Sequence, residues 1–133
     1  MGEVVQVNYV RRKELKNGQL RLEERDDDVE IDLIMETEKI SESADNFFDA
    51  LMKIRIELEI KDIQLLCKGC CKNVYPSGMA LAMGMGRKAY TLYMGKQAKT
   101  VDLVDIFEKC PLDDYASIEQ QKQYFEQWIE SLR

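Results

Sequence analysis

The sequence predicts an α+β domain, in which an antiparallel sheet of about five or six strands is packed by two long amphipathic helices, at about residues 44–60 and 116–131. Apolar and polar residues alternate in much of the first third of the chain, as they do in half-buried strands. Two later stretches repeat apolar residues at helical spacing. The length of 133 residues suits one domain, 1–133, with one core.

The first strands are predicted from period-two patterns separated by turn signals. Residues 4–10 place valine and tyrosine side chains on one face, as a strand would. Asn17-Gly18 is a dipeptide typical of a two-residue hairpin turn. Over 29–36 apolar residues point to one side and acidic residues to the other, after an exposed turn at 26–28. This pattern predicts a half-buried antiparallel strand.

The two helices are predicted from apolar stripes with a period near 3.6 residues. The stripe of the first helix comprises Phe47, Phe48, Leu51, Ile54 and Leu58. Ser43 precedes this stripe and is the predicted N-cap. The second stripe runs from Ile118 to Leu132, and Ser117 is among its candidate caps.

The segment between the helices supplies the remaining strands. Residues 63–67 form a short apolar run, which predicts a central strand. Tyr75–Gly78 contains the proline and glycine of a tight turn, and 89–94 has the aromatic and β-branched content of a strand. Residues 101–108 fit either a short helix or a strand followed by a turn.

Composition and charge limit the classes of function that fit this chain. With 45% hydrophobic and 33% charged residues, no signal peptide and no apolar run of membrane-spanning length, we expect a folded cytoplasmic protein that does not bind membranes. The net charge is −6 and the pI about 4.8, so direct binding to nucleic acid is disfavoured. A basic partner suits this charge, although acidity also serves solubility alone.

The chain contains no histidine. This excludes the Ser-His-Asp and Cys-His arrangements of nucleophilic catalysis and removes the usual general base at neutral pH. No other set of residues indicates a catalytic or cofactor-binding site. We therefore expect a protein that is not an enzyme and that uses no cofactor.

Four cysteines raise the question of a metal or redox site. They are Cys67, Cys70, Cys71 and Cys110. Four thiolates could bind zinc, but the fourth is isolated, and adjacent cysteines in an extended segment point to opposite sides. A redox motif requires a helix directly after its C-x-x-C, and turn residues follow here. The favoured interpretation is buried structural cysteines, with a zinc-stabilised or thiol-based module as the alternative.

The tight acidic cluster is the best candidate for a binding surface. It comprises Asp26, Asp27 and Asp28 of the predicted turn, with Glu30 and Asp32 on the outward face of the strand that follows. Such a cluster forms either a solvated turn or a docking patch for a basic partner.

One block of sequence resembles a known class of bacterial proteins. Residues 65–79, which include the distinctive "VYPSGM", are followed by Gly84, Gly86, Ala89-Tyr90 and 101–108. The block resembles immunity proteins of polymorphic toxin systems, above all those of contact-dependent growth inhibition. The resemblance covers about a third of the chain, residues 65–108, and transfers no functional residue.

The resemblance implies a non-enzymatic protein that binds and neutralises one cognate toxin, often a basic nuclease. Neutralisation would be occlusion, in which acidic side chains meet the cationic cleft of the toxin and a few apolar anchors tighten the contact. The cluster Asp26, Asp27, Asp28, Glu30 and Asp32 is the expected contact surface.

Overall fold

The computed structural model describes residues 2–133, which form eight strands and three α-helices. The strands are β1 (Gly2–Arg11), β2 (Glu14–Glu24), β3 (Val29–Ile34), β4 (Lys39–Ala44), β5 (Ile63–Leu66), β6 (Val74–Tyr75), β7 (Lys88–Thr91) and β8 (Leu103–Asp105). The helices are α1 (Phe47–Ile60), α2 (Gly78–Met83) and α3 (Ile118–Ser131). None of these helices is long and apolar enough to cross a bilayer.

The first five strands form one antiparallel sheet in the order β4-β3-β2-β1-β5. The residues of β3 alternate between buried and half-buried, as the sequence pattern predicts. Its buried side chains, with those of β1 and β2, face α1 and form the core. The opposite face of this sheet is polar along most of its length.

Helix α1 begins later than predicted and uses a different cap. Asn46 is the N-cap, and its Oδ1 accepts a hydrogen bond from the backbone N–H of Asp49 at 2.8 Å. Ser43 lies within β4, where it is paired with Glu30. The prediction of Ser43 as the cap is wrong because strand pairing continues to Ala44.

The later part of the chain forms a second sheet, in the order β6-β7-β8. Residues 101–108, for which the sequence fits either a helix or a strand, begin within a short 3-10 turn at 100–102 and contain β8. Helix α3 packs mainly on β6 and α1, and the ring of Phe125 stacks on that of Tyr75 with centroids 4.2 Å apart.

The predicted architecture, one sheet packed by two long helices, is therefore wrong. The strands form two sheets, and only α1 packs on the five-stranded sheet. The physical reason lies after β5, where a 3-10 turn at Lys68–Cys70 redirects the chain before β6 begins. Helix α3 has a single buried residue, Gln121. It packs on β6 of the second sheet and contributes no buried apolar residue to the core.

The turn between β1 and β2 also differs from the prediction. The hairpin turns at Arg12-Lys13, flanked by the pair Arg11 and Glu14, whereas Asn17-Gly18 lies inside β2. Gly18 is required there because a Cβ atom would lie 2.9 Å from the backbone oxygen of Ile34 and 3.2 Å from the Tyr9 ring. The glycine thus accommodates close packing and does not form a turn.

Candidate protein-docking site

The predicted acidic residues lie together at one corner of the five-stranded sheet. Asp26, Asp27 and Asp28 form the exposed turn between β2 and β3, and Glu30 and Asp32 lie on the outer face of β3. The outward positions of Glu30 and Asp32 follow from the strand period, because the alternate residues of β3 are buried in the core. We call these five residues the acidic corner.

Arg25 neutralises part of the acidic corner. Its Nε and Nη2 atoms donate to the two carboxylate oxygens of Asp28 at 2.6 and 2.9 Å, and its Nη1 lies 3.6 Å from Glu30 Oε2. The backbone N–H of Arg25 also donates to the carbonyl of Asp28 at 2.8 Å. These hydrogen bonds lower the pKa of Asp28 and close the turn, so two of the five carboxylates serve the local structure.

Asp26 and Asp27 keep their charge exposed to solvent, whereas Asp32 is half-buried and lies opposite Arg21 on β2. Among the residues that the structure describes, Asp26, Asp27 and Asp32 make no ion pair. Glu23 lies directly opposite Glu30 on the neighbouring strand, which places like charges side by side. Residues 21–32 carry seven carboxylates and two arginines. This excess of negative charge creates a field that attracts a cationic surface.

The four cysteines form two separate pairs. The Sγ atoms of Cys67 and Cys70 are 3.7 Å apart, and those of Cys71 and Cys110 are 2.7 Å apart. All four are buried and free. The adjacent residues Cys70 and Cys71 have different partners, as expected if their side chains point to opposite sides. Hydrogen bonding to the paired thiol and burial raise the pKa values of Cys67 and Cys110, which favours their neutral forms.

This arrangement differs from a four-cysteine zinc site. A tetrahedral site requires four thiolates around one point, whereas the structure holds two hydrogen-bonded pairs. Within residues 2–133, no group of three or more cysteine or acidic side chains is arranged to hold a metal ion. The Cys71–Cys110 pair joins the segment after β5 to the chain before α3, and the Cys67–Cys70 pair lies within the segment after β5.

A buried arginine that the sequence analysis missed organises this region. Arg55 is 2% exposed and donates to the carbonyls of Gly69 and Ala116 at 3.2 and 2.9 Å and to Gln121 Oε1 at 2.6 Å. Its position could have been noticed, since it falls on the apolar stripe of α1, four residues after Leu51.

Comparison with known proteins does not assign the chain to a family. No family model matches the chain, and no curated protein is similar to it.

Proposed function

We propose that this protein is a non-enzymatic immunity protein that binds and neutralises a cognate bacterial toxin in the cytoplasm. The toxin domain carries a basic surface, as a nuclease does around its phosphate-binding cleft. The observation that carries the proposal is the acidic corner, where Asp26, Asp27 and Asp32 are unpaired among the described residues and point away from the core.

Occlusion requires no chemistry from this chain. Exposed carboxylates attract the cationic cleft over several ångströms and speed the encounter, and they then occupy the place of substrate phosphates. The turn that presents them is held by Arg25, so Asp26 and Asp27 are positioned before the partner arrives. Such preorganisation reduces the entropy lost on binding.

The absence of histidine also supports a binding role. Many nucleases and other hydrolases use histidine, the side chain whose ordinary pKa lies near neutral pH, as a general base, and this chain has none. The acidic composition disfavours direct contact with nucleic acid, so the proposed protection acts on the toxin and not on its substrate.

A rescue assay tests the proposed function. The toxin candidate is the C-terminal part of the protein encoded by the gene immediately upstream, expressed under tight control with and without this protein. We expect cells to die without this protein, to grow with it, and to yield a complex of the two proteins. A harmless segment, or killing that this protein does not relieve, would contradict the proposal.

A matched pair of variants then tests the acidic corner. Asp26→Asn/Asp27→Asn removes two exposed charges without changing shape. We expect association with the toxin to slow by about three- to tenfold at low salt and to depend less on salt. The control, Glu108→Gln/Glu126→Gln, removes two exposed carboxylates elsewhere on the surface. Equal association rates for both variants would rule out the acidic corner as the contact.

A further inference from the structure

A second surface, with the opposite charge, lies at the other end of the polar sheet face. There the strands β1, β2 and β5 and the returning chain at 109–112 enclose a groove of about 970 Å³. Its apolar lining comprises Val10, Leu15, Leu66, Pro111 and Leu112. Leu15 is 67% exposed and Leu112 is 50% exposed, so a contact here would remove large apolar side chains from water.

The strand register builds this groove. Val10 and Leu15 are directly paired across the β1–β2 hairpin. Leu66 ends β5, and its carbonyl accepts a hydrogen bond from the backbone N–H of Cys110 at 3.3 Å. This bond fixes the position of Pro111 and Leu112 against the sheet edge, so both walls of the groove are tied to the fold.

Three cations line the groove, although the chain as a whole is acidic. They are Arg12, Lys13 and Lys109, and none of them takes part in an ion pair within the described residues. The one acidic residue of the lining, Asp62, accepts a hydrogen bond from Gln64 at 3.2 Å. The groove therefore has a net charge of +2, counted as three cations and one carboxylate, beside an apolar floor.

Two of these cations occupy a turn that does not favour them. Arg12 and Lys13 have φ values of 53° and 64°, as in a type I′ hairpin turn, where Asn-Gly is the favoured pair. Residues other than glycine are disfavoured in this left-handed region, and asparagine is better tolerated than arginine or lysine. Strained residues of this kind concentrate at functional sites.

We propose that this groove docks a segment of a partner protein in which apolar side chains lie beside carboxylates. Charge complementarity argues for this occupant, because carboxylates would pair with Arg12, Lys13 and Lys109 while apolar side chains cover Leu15 and Leu112. This proposal does not depend on toxin neutralisation. The acidic corner attracts a cationic partner surface, whereas the groove attracts a segment that carries carboxylates.

The hairpin turn offers a variant that separates binding from folding. Arg12→Asn/Lys13→Gly removes both cations and installs the pair that a type I′ turn favours. We expect this variant to have a Tm at least as high as that of the unchanged protein, so lost binding would not reflect unfolding. The control Lys39→Gln/Lys122→Gln removes two exposed lysines outside the groove.

The probe is a displayed library of short random peptides, selected on the full chain at low salt. We expect the enriched peptides to combine leucine-like residues with Asp or Glu. Their binding should weaken about tenfold for Arg12→Asn/Lys13→Gly and remain unchanged for the lysine control. Leu112→Ser should also weaken binding, whereas Val101→Ser, which changes an exposed apolar residue outside the groove, should not.

Any of three results with the peptide library would overturn this proposal. The library could fail to enrich any sequence, the enriched peptides could lack carboxylates, or binding could survive the loss of both turn cations. Sedimentation of the chain alone gives a further check, for which we expect a monomer. A dimer dispersed by Leu112→Ser would assign the groove to a second copy of the chain and overturn the proposed partner.

Discussion

At the scale of single residues, Arg55 is the side chain on which most of the region after α1 depends. Its hydrogen bonds reach the segment after β5, the chain before α3 and a glutamine on α3 itself. Gln121 extends this network, because its Nε2 lies 2.9 Å from the carbonyls of Gly69, Cys71 and Val74. This buried charge is stabilised by three acceptors of its Nη hydrogen bonds, while its Nε is buried without a partner among the described residues.

Replacing Arg55 should therefore destabilise the protein strongly. We expect Arg55→Ala to lower the free energy of unfolding by about 3 kcal/mol, because the buried carbonyls of Gly69 and Ala116 would lose a charged donor. Denaturant unfolding followed by circular dichroism measures this change. Ile56→Ala, on the exposed side of the same helix, is the control, and an equal loss in both variants would contradict the role of Arg55.

At the scale of elements, the contact between β4 and α1 contains an unfavourable pair of carboxylates. The pKa of Glu57 of α1 is raised by hydrogen bonding to the carboxyl group of Glu42 of β4, by burial and by the negative charge of Glu42. Oε2 of Glu57 is buried without a hydrogen-bond partner within the described residues. Because the pKa of Glu57 is raised in the folded state, the contribution of this group to stability is fully present at low pH and is lost as Glu57 ionises.

Neutralising Glu57 should stabilise the protein in a way that depends on pH. We expect Glu57→Gln to raise Tm at pH 7, because the repulsion with Glu42 disappears, and to have little effect near about pH 4, where the native carboxyl keeps its proton. Thermal unfolding at both pH values measures this. Glu126→Gln, on the exposed surface of α3, should show no such difference, and a Tm gain of the same size at both pH values would refute the assignment.

At the scale of the whole molecule, the polar face of the five-stranded sheet carries negative charge at one end and positive charge at the other. The acidic corner lies at the β2–β3 turn, and the cationic groove lies at the opposite end of the same strands, by the β1–β2 turn. Behind this face, the core runs continuously from the sheet through α1 to the buried cysteines. The two proposed docking surfaces therefore belong to one scaffold, and the cysteines belong to its interior.

The cysteine pairs lead to a prediction about metal. We expect protein purified without a metal column to contain no stoichiometric zinc, and a chelator to leave Tm unchanged, because packing and the Arg55 network hold Cys67–Cys70 and Cys71–Cys110 in place. Elemental analysis and thermal unfolding with and without chelator test this. About one zinc per chain, lost in Cys70→Ser, would instead support the zinc-stabilised module.

Much of the local structure could be predicted from the sequence because its signals are periodic. The alternation over 29–36 correctly places β3, and the stripe that begins at Phe47 correctly places most of α1. Glu30 and Asp32 of the candidate site follow from the same alternation, since the partners of a buried face must point outward. Their role in binding stays a prediction.

The features that could not be predicted depend on contacts between distant residues. Asn17-Gly18 is a strong turn signal, yet the hairpin turns earlier, at Arg12-Lys13. Gly18 is instead needed because the Tyr9 ring and the β3 backbone approach it closely. The groove escaped prediction because its lining combines β1, β2 and β5 with residues 109–112, which sequence spacing does not bring together.

The sequence by itself determined the α+β character, the acidic surface and the faces of β3 and α1, because these depend on composition and on periods of two or 3.6 residues. Only the tertiary structure decided that the strands form two sheets, that Arg12-Lys13 makes the turn and that the cysteines pair two by two. Those outcomes depend on which distant segments pack together, and packing overrides local preference wherever the two disagree.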